Sequence, residues 1–319
     1  MKIIHAAREL DPRGRKVCLA IGFFDGVHLG HQQIIRQTIS DARRYDALSL
    51  VVTFDCHPHT VVAPDRVPRL IYSLPQKLRT IESLGADALL LLHFDKAFSE
   101  QSGEAFIQGL SRDLGHVQSL CVGANFLFGH HRTGNVALLK QLGAQLKFGV
   151  HGLSAVSLGG KPVSSTRIRE TISGGHLDSA SPMLGRIYSL AGKIQRGDGI
   201  GAKLGFPTAN IDVTGLVLPP NGVYSVFVET DPNGPPHFMQ SPGANRRRGV
   251  LNIGTRPTLG NPHPVTQVEV HIPGFQGDLY DHELEVAFVE KLRSEKKFPS
   301  LDALREQIAR DIALAGPKS

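Results

Sequence analysis

Two histidines lie in the stretch Gly22–His31, which reads GFFDGVHLGH and joins an apolar run to a helical pattern. His28 and His31 are three residues apart, so they share a face in a first helical turn, and Gly30 leaves the backbone open to a ligand. The N-terminus of a helix is its positive end, where two cationic side chains cost stability unless an anion lies among them. The pattern favours a phosphate site, although an isolated pair of this kind is more often two solvated histidines.

A second group of hydroxyl and basic side chains reads SSTRIR from Ser164 to Arg169. Its hydroxyl residues are of the type that caps a helix, and Arg167 and Arg169 again place positive charge where a helix begins. Alone, such a segment is usually a capped surface helix with solvated arginines. Two such groups in one domain favour a shared polyphosphate ligand over coincidence.

A third candidate site consists of oxygen-bearing side chains in the sequence GFPTAN. Thr208 and Asn210 are two residues apart, which puts both side chains on one face of an extended segment. They offer the hard oxygen ligands that Mg²⁺ takes together with waters and substrate phosphates. Alone, the pair is more often a Pro-Thr turn followed by a strand. The glycine-rich stretch Gly197–Lys203 before it fits neither established phosphate-loop spacing.

An acidic residue lies in the alternating segment Thr266–Ile272. The valines and the isoleucine occupy one face, and Gln267, Glu269 and His271 occupy the other. From the pattern alone, the polar face is the solvated outside of a barrel strand.

The elements that must position these side chains alternate, in the first half of the chain, between apolar runs and helical patterns. The runs of strand length are Val17–Ile21, Leu48–Thr53, Ala88–Leu92 and Val117–Val122. Apolar spacings of three and four recur over His31–Tyr45, Leu74–Leu84, Gly103–Leu114 and Val136–Leu146. Continuous apolar strands indicate cover on both faces. We predict a doubly wound parallel α/β domain with its ligand at the carboxyl ends of the strands.

The pattern changes after Pro182, from which we predict two domains, residues 1–182 and 183–319. The second half shows period-two alternation with many glycines and prolines, which indicates a small β-barrel. Its predicted strands are Tyr188–Gln195, Gly222–Glu229, Gly249–Ile253, Thr266–Ile272 and Leu284–Leu292. Residues Asp231–Arg248, with their three successive arginines, have no periodicity and are predicted to be a solvated loop. A C-terminal helix, Ser300–Ala315, begins at a serine cap.

Composition excludes several classes of protein. At 319 residues with 41% hydrophobic and 20% charged residues, the chain is an ordinary globular protein. No apolar run approaches the ~20 residues that cross a bilayer, and no apolar secretory segment opens the chain, so we expect a cytoplasmic protein without membrane contact. The three cysteines form no metal or disulfide pattern. Of the net charge of +6, five charges come from residues 1–182, so the positive excess lies in the half that holds both basic groups.

The motifs together resemble those of the prokaryotic bifunctional riboflavin kinase and FMN adenylyltransferase (FAD synthetase) family. The first half matches in GFFDGVHLGH, TFDCHP, VGANFLFGHHRTGN and SSTRIR. The second half matches, in order, in LGRIYSLAGKI, GAKLGFPTANI, LPPNGVYSV, NIGTRPT, VEVHI, FQGDLYD and KLRSEKKF. Departures from the family pattern occur at Phe23, Cys56, Asn135 and Ala202, where asparagine, proline, aspartate and arginine are usual.

For the first domain the resemblance implies transfer of AMP from ATP to the phosphate of FMN, giving FAD and pyrophosphate. It implies that His28 and His31 contact the ATP phosphates, that Asn125 contacts the nucleotide, and that Gly22, Asp25 and Gly30 shape the loop. The residues implied at the triphosphate are Ser164, Ser165, Thr166, Arg167 and Arg169.

For the second domain the resemblance implies phosphorylation of riboflavin by ATP, with Glu269 as the catalytic base. The nucleotide would be bound by Gly199, Gly201, Lys203 and Gly205. Mg²⁺, the ion expected in both reactions, would be held by Thr208 and Asn210. The substrates would be riboflavin, FMN and ATP, without nucleic acid. One alternative is a kinase whose N-terminal domain has lost its activity. Another is a basic RNA-binding module, for which the pI near 9.3 is the only argument. The oligomeric state is not indicated.

Overall fold

The computed structural model describes residues 1–197, 199–229, 246–256, 265–280 and 282–316. The chain divides into two compact units. The first contains Met1–Arg69 and Leu74–Arg167, and the second contains Leu70–Ser73 and Ile168–Ser319. This spatial division comes earlier in the chain than the predicted boundary at Pro182, because the helical segments after Arg167 pack with the second unit.

The first unit is built on a six-stranded parallel sheet in the order β1-β4-β3-β2-β5-β6. Its strands are β1 Lys2–Ile4, β2 Val17–Ile21, β3 Leu48–Phe54, β4 Ala88–Leu92, β5 Val117–Gly123 and β6 Gly149–Leu153. Its helices are α1 Leu29–Arg44, α2 His59–Val62, α3 Leu74–Glu82, α4 Lys96–Ser99, α5 Gly103–Leu114 and α6 Val136–Leu146. A short hairpin follows, with β7 Ser157–Leu158 and β8 Lys161–Pro162, and α7 Ser165–Ser173 begins directly after it.

Apolar side chains cover both faces of this sheet. Leu19 and Leu50 belong to one buried cluster, and their chain neighbours Ala20 and Val51 belong to a separate cluster on the opposite face. Alternate residues of each central strand therefore enter different cores, as the continuous apolar runs predicted. The doubly wound α/β fold is confirmed, and the four predicted strands and four predicted helices form within two residues of their predicted bounds.

The order of the strands creates one switch point in this sheet. From β2 the chain proceeds to β3 and β4 on one side, and it returns to β5 and β6 on the other side. The carboxyl ends of β2 and β5 are therefore adjacent at the place where open α/β sheets bind their ligands. The segments that follow these two strands, Gly22–His31 and 124–129, both carry residues that the sequence singled out.

The second unit contains a closed antiparallel barrel in the order β10-β13-β12-β11-β14-β9. Its strands are β9 Ser189–Gln195, β10 Thr208–Ile211, β11 Gly222–Glu229, β12 Arg246–Arg256, β13 Val265–His271 and β14 Glu283–Arg293. Its helices are α8 Leu177–Leu184, α9 Ile200–Lys203 and α10 Leu301–Ala315. The predicted barrel and its C-terminal helix are confirmed, and the Ser300 side chain caps α10 by accepting from Ala303 N–H at 3.2 Å.

One sequence expectation for the second half differs from the structure. Arg246–Arg248 are not part of a loop, because they open β12 and pair with Phe227–Glu229 of β11. Residues 231–245 of that predicted loop lie outside the described residues. Part of the glycine-rich stretch, Ile200–Lys203, forms the single helical turn α9. Within the described ranges, none of the helices combines the length and apolar character needed to cross a bilayer.

Candidate active sites

The turn after β2 has an unusual backbone. Phe24 has φ 56°, Gly26 has φ 72° and Val27 has φ 38°. A β-branched residue with positive φ is strained, and such strain persists only where the surroundings enforce it. The Val27 side chain is fully buried, and the buried Gln32 amide donates to the Val27 carbonyl at 2.9 Å. The turn is thus held in one conformation, which delivers His28 to the start of α1.

The predicted histidine pair is present at this helix start, with both side chains on one face. His28 is the N-cap of α1, and its Nδ1 accepts from the His31 backbone N–H at 3.4 Å. The two rings stack with centroids 3.6 Å apart. A side chain at Gly30 would contact the His28 ring, since its Cβ would lie 3.2 Å from Cε1. An Nδ1 that accepts a hydrogen bond carries no proton, so the capping form of His28 is neutral and presents Nε2–H as a donor.

Hydrogen bonds from neighbouring elements hold the same turn. The Thr53 hydroxyl, near the end of β3, donates to the Phe23 carbonyl at 3.0 Å. The Ser165 hydroxyl, at the start of α7, donates to the Asp25 carbonyl at 3.1 Å. Asp25 itself is buried, with 3% of its surface exposed. The structure therefore brings Ser165, at the start of α7, against the turn that precedes α1.

The start of α7 has the predicted cap. The Ser164 hydroxyl accepts from the Arg167 backbone N–H at 3.2 Å, and Thr166 is exposed. Arg167 Nη1 donates to three carbonyls of the preceding hairpin, those of Leu158, Lys161 and Pro162, at 2.9–3.2 Å. Arg167 thus has a structural partner set that its spacing did not reveal. Arg169 is half-buried on the same helix, beyond the point where the second unit begins.

Gly22 and Asn125 flank the switch point from β2 and β5. A Cβ at Gly22 would lie 2.7 Å from the Phe24 ring, so this position requires glycine. Asn125 is exposed in the turn after β5, where Phe126 N–H donates to the Gly123 carbonyl at 2.9 Å. The residues of the first unit that the sequence singled out therefore lie at the adjacent ends of two strands and at the start of α7.

In the barrel, Glu269 lies in the middle of β13 between two asparagines. It pairs with Asn210 of β10 on one side and with Asn252 of β12 on the other. Directly paired residues project from the same face, so the carboxylate is flanked by two amide side chains. Val268 and Val270 are 1% exposed in the barrel interior, which places Glu269 on the outer face as predicted. Sequence analysis missed Asn252, because pairing between distant strands has no local signal.

Thr208 and Asn210 share that outer face, and glycines approach both. A Cβ at Gly201 would lie 3.1 Å from Thr208 Oγ1, and a Cβ at Gly197 would overlap Asn210 Nδ2. The glycine-rich segment therefore packs directly over the side chains of Thr208 and Asn210. No group of three His, Cys, Asp or Glu side chains suited to a metal occurs among the described residues. Two neutral oxygens beside a carboxylate fit an ion that takes most of its other ligands from water and phosphate.

The remaining glycine-rich residues shape the segment around α9. Gly199 and Gly205 have φ of 68° and 88°, a conformation that favours glycine, and Lys203 is exposed. His271 holds Phe206 and Pro207, which follow the glycine-rich segment. Its Nδ1 lies 2.8 Å from the Pro207 carbonyl oxygen, and its ring lies edge-on to the Phe206 ring with the centroids 5.8 Å apart. A carbonyl only accepts, so Nδ1 is the protonated nitrogen.

Comparison with known proteins assigns a class to each unit. The family described as FAD synthetase matches residues 11–167, and the family described as riboflavin kinase matches residues 184–317. The chain is thus a transferase that joins a nucleotidyltransferase domain to a kinase domain. These matches favour the bifunctional interpretation over a kinase alone.

Relatives match along almost the whole chain. A bifunctional riboflavin kinase/FMN adenylyltransferase of Escherichia coli strain K12 is 34% identical over 312 residues, covering 98% of this chain and 96% of its own. The protein of that name from Pseudomonas fluorescens is 35% identical over 318 residues, covering 99% and 97%. The chain belongs to the bifunctional riboflavin kinase/FMN adenylyltransferase family.

A solved structure shares the fold. It is titled a macrolide-efflux protein from Streptococcus pneumoniae and has a TM-score of 0.80, 25% identity and 99% coverage of both chains.

Proposed function

We propose that the two activities of this chain are divided at residue 182. Residues 183–319 phosphorylate riboflavin to FMN, and residues 1–182 adenylate FMN to FAD, with ATP as the co-substrate of both reactions. The two adjoining family matches support this division, and each covers a unit with its own candidate site. The observation that supports the proposal is that the polar residues of each motif, Arg169 excepted, lie within one unit, near the switch point of the sheet or on the outer face of the barrel.

In the kinase reaction, Glu269 is the catalytic base. The 5′-hydroxyl of riboflavin is neutral and must lose its proton as it attacks the γ-phosphate of ATP. A carboxylate flanked by the amides of Asn210 and Asn252 has neighbours that orient it without adding a charge. The oxygen–phosphorus bond to ADP breaks, and FMN and ADP are the products.

Thr208 and Asn210 would hold Mg²⁺, since their side chains offer neutral oxygen ligands. When bound, the ion neutralises charge on the phosphates of ATP. The glycine-rich segment supplies the phosphate contacts, with Gly199, Gly201 and Gly205 giving open backbone and Lys203 giving a positive charge. The close approach of Gly197 and Gly201 to the two ligands supports this arrangement.

In the adenylyltransferase reaction, the FMN phosphate attacks the α-phosphate of ATP and pyrophosphate leaves. The nucleophile is already an anion, so this domain needs no base and works by positioning and by stabilising charge. His28 donates from Nε2, and His31 acts beside it. Asn125 contacts the nucleotide. The loop that receives it is shaped by Gly22, Asp25 and Gly30. The triphosphate lies near Ser164, Ser165, Thr166, Arg167 and Arg169.

The chain works in the cytoplasm on small molecules, and it binds neither nucleic acid nor membrane in doing so. Free thiols at Cys18, Cys56 and Cys121 support a reducing compartment.

Time-resolved separation of riboflavin, FMN and FAD tests the proposal. The protein is incubated with riboflavin, ATP and Mg²⁺, and FMN is expected to appear before FAD. With FMN supplied in place of riboflavin, FAD is expected without a lag. If FMN forms from riboflavin but no FAD forms under either condition, the chain has only the kinase activity, and the proposed division into two activities is refuted.

A further inference from the structure

Lys77 is a cation inside the apolar face of a helix. The spacing Leu74, Lys77, Leu78, Ile81 places it at a core position of α3, where a lysine is out of pattern. The structure buries it, with 4% of its surface exposed. Lysine is almost never fully buried unless its charge has partners. The nature of those partners indicates what the charge does.

The ammonium group lies between the ends of two strands. Lys77 Nζ donates to the Phe54 carbonyl at 2.8 Å, to the Phe23 carbonyl at 3.3 Å and to Thr53 Oγ1 at 3.4 Å. It also lies 4.4 Å from the centroid of the Phe23 ring. Phe54 is the last residue of β3, and Phe23 begins the strained turn after β2. One side chain therefore ties together the segments that follow β2 and β3.

Core packing alone does not require this charge. Burial lowers the pKa of Lys77 to about 8, although the carboxylates of Asp25 and Asp55 and the thiol of Cys56 oppose that shift. An apolar side chain of similar volume generally serves a core as well or better. The ammonium group instead gives the Phe23 carbonyl a second hydrogen-bond donor beside the Thr53 hydroxyl.

We propose that Lys77 is a positioning residue for adenylyl transfer. By holding the Phe23 carbonyl against the end of β3, it fixes the strained turn that carries Asp25 and delivers His28 to the nucleotide. The inference rests on the proposed placement of that reaction at His28 and His31. Lys77 acts through the turn and does not touch substrate.

Variants of Lys77 test the effect of its charge separately from the effect of its side-chain volume. We expect Lys77→Met to lower kcat for FAD formation from FMN about 10-fold or more, because small displacements of catalytic groups have large effects. Riboflavin phosphorylation by the same full-length chain is the internal control and is expected to stay within twofold. Lys77→Arg keeps the charge and is expected to recover part of the rate. Lys140→Met, at an exposed lysine of the same unit, is the matched control.

The pH dependence distinguishes positioning from a structural role. Deprotonation above about pH 8 weakens the ties to the carbonyls, so FAD formation by the wild type is expected to fall there. Since the folded state lowers the pKa of Lys77, the same deprotonation favours the folded state, and the melting temperature is not expected to fall with the rate. Arginine keeps its charge, so Lys77→Arg is expected to remain active at higher pH.

Two results would overturn the proposal. They are a Lys77→Met variant that forms FAD within twofold of wild type, and a Lys77→Arg variant whose rate falls at the same pH as wild type. The second comparison decides even if Lys77→Met does not fold. If replacement of His28 leaves FAD formation intact, the placement of the active site fails instead.

Discussion

The backbone N–H of His31 donates to Nδ1 of His28 at 3.4 Å, and the two imidazole rings stack. His28 therefore serves both as the cap of α1 and as a donor from Nε2. A doubly protonated His28 would lose this hydrogen bond, because Nδ1 could no longer accept it. A neutral donor at the positive end of a helix suits a phosphate without the repulsion of two imidazolium ions.

Asparagine at position 28 separates the two roles of this histidine. Asn is among the best N-cap residues, so His28→Asn is expected to change the free energy of unfolding by less than about 1 kcal/mol. It removes the Nε2 donor, and we expect FAD formation from FMN to fall about 100-fold or more. FAD formation and thermal unfolding are measured on the same preparation. His28→Ala, which lacks both groups, is expected to lose stability as well, by about 1 kcal/mol. Full activity in His28→Asn would contradict the assignment.

Replacement of Glu269 by glutamine tests the base of the kinase. The amide keeps the shape between Asn210 and Asn252 but does not accept the riboflavin proton, so FMN formation is expected to fall about 100-fold or more. FAD formation from supplied FMN is expected to continue. Glu306→Gln, at an exposed glutamate of α10, is the control. Retention of both activities in Glu269→Gln would remove this residue from the mechanism.

A methyl group at Gly197 tests the packing over the proposed metal ligands. The Cβ of Gly197→Ala would overlap the Asn210 amide, so the loop or the side chain must move. We expect a higher Mg²⁺ requirement and a lower rate of riboflavin phosphorylation, measured by titration with Mg²⁺. Gly109→Ala is the matched control, because its Cβ meets nothing within 4 Å and lies inside α5. The control is expected to gain about 0.5–1 kcal/mol of stability. An unchanged Mg²⁺ titration in Gly197→Ala would separate this glycine from the site.

The pair of Asp55 and His93 gives the stability a pH window. Burial alone would raise the pKa of Asp55, but hydrogen bonds from His93 and the Phe94 N–H outweigh it and lower the pKa below its usual 3.8. The hydrogen bond to Asp55 raises the pKa of His93 above its usual 6.5.

Between pH 3.8 and pH 6.5, Asp55 is ionised and His93 is protonated, so the pair carries both charges. Its stabilisation is lost as the pH falls through the pKa of Asp55 or rises through that of His93. The difference in melting temperature between wild type and His93→Gln is expected to be largest between pH 4 and 6.5 and to shrink on either side. A difference independent of pH would contradict the pairing.

Local patterns predicted the elements of this chain well where one physical signal dominates. The run Ala88–Leu92 forms a strand with those bounds, because five apolar residues bounded by charge suit a strand covered on both faces. The edge strand β6, Gly149–Leu153, was missed because its residues are mostly exposed and its pairing comes from β5.

The candidate site residues also differ in whether a local sequence pattern reveals them. His28, Thr208 and Asn210 were singled out because they belong to short contiguous motifs. Asn252 reaches Glu269 only through pairing of β12 with β13, and Lys77 reaches Phe23 only through tertiary packing. A lysine in an apolar stripe was a visible signal at Lys77, but its purpose depends on carbonyl groups that no side-chain pattern encodes.

The alternation of β13 links the proposed catalytic base to the closure of the barrel. A slip of one residue against its neighbours would turn the Glu269 carboxylate into the apolar interior and expose Val268 or Val270 in its place. Misregistered barrels would therefore be inactive as well as unstable. Riboflavin phosphorylation can thus serve as a sensitive readout of correct strand assembly when this barrel is refolded, truncated or grafted.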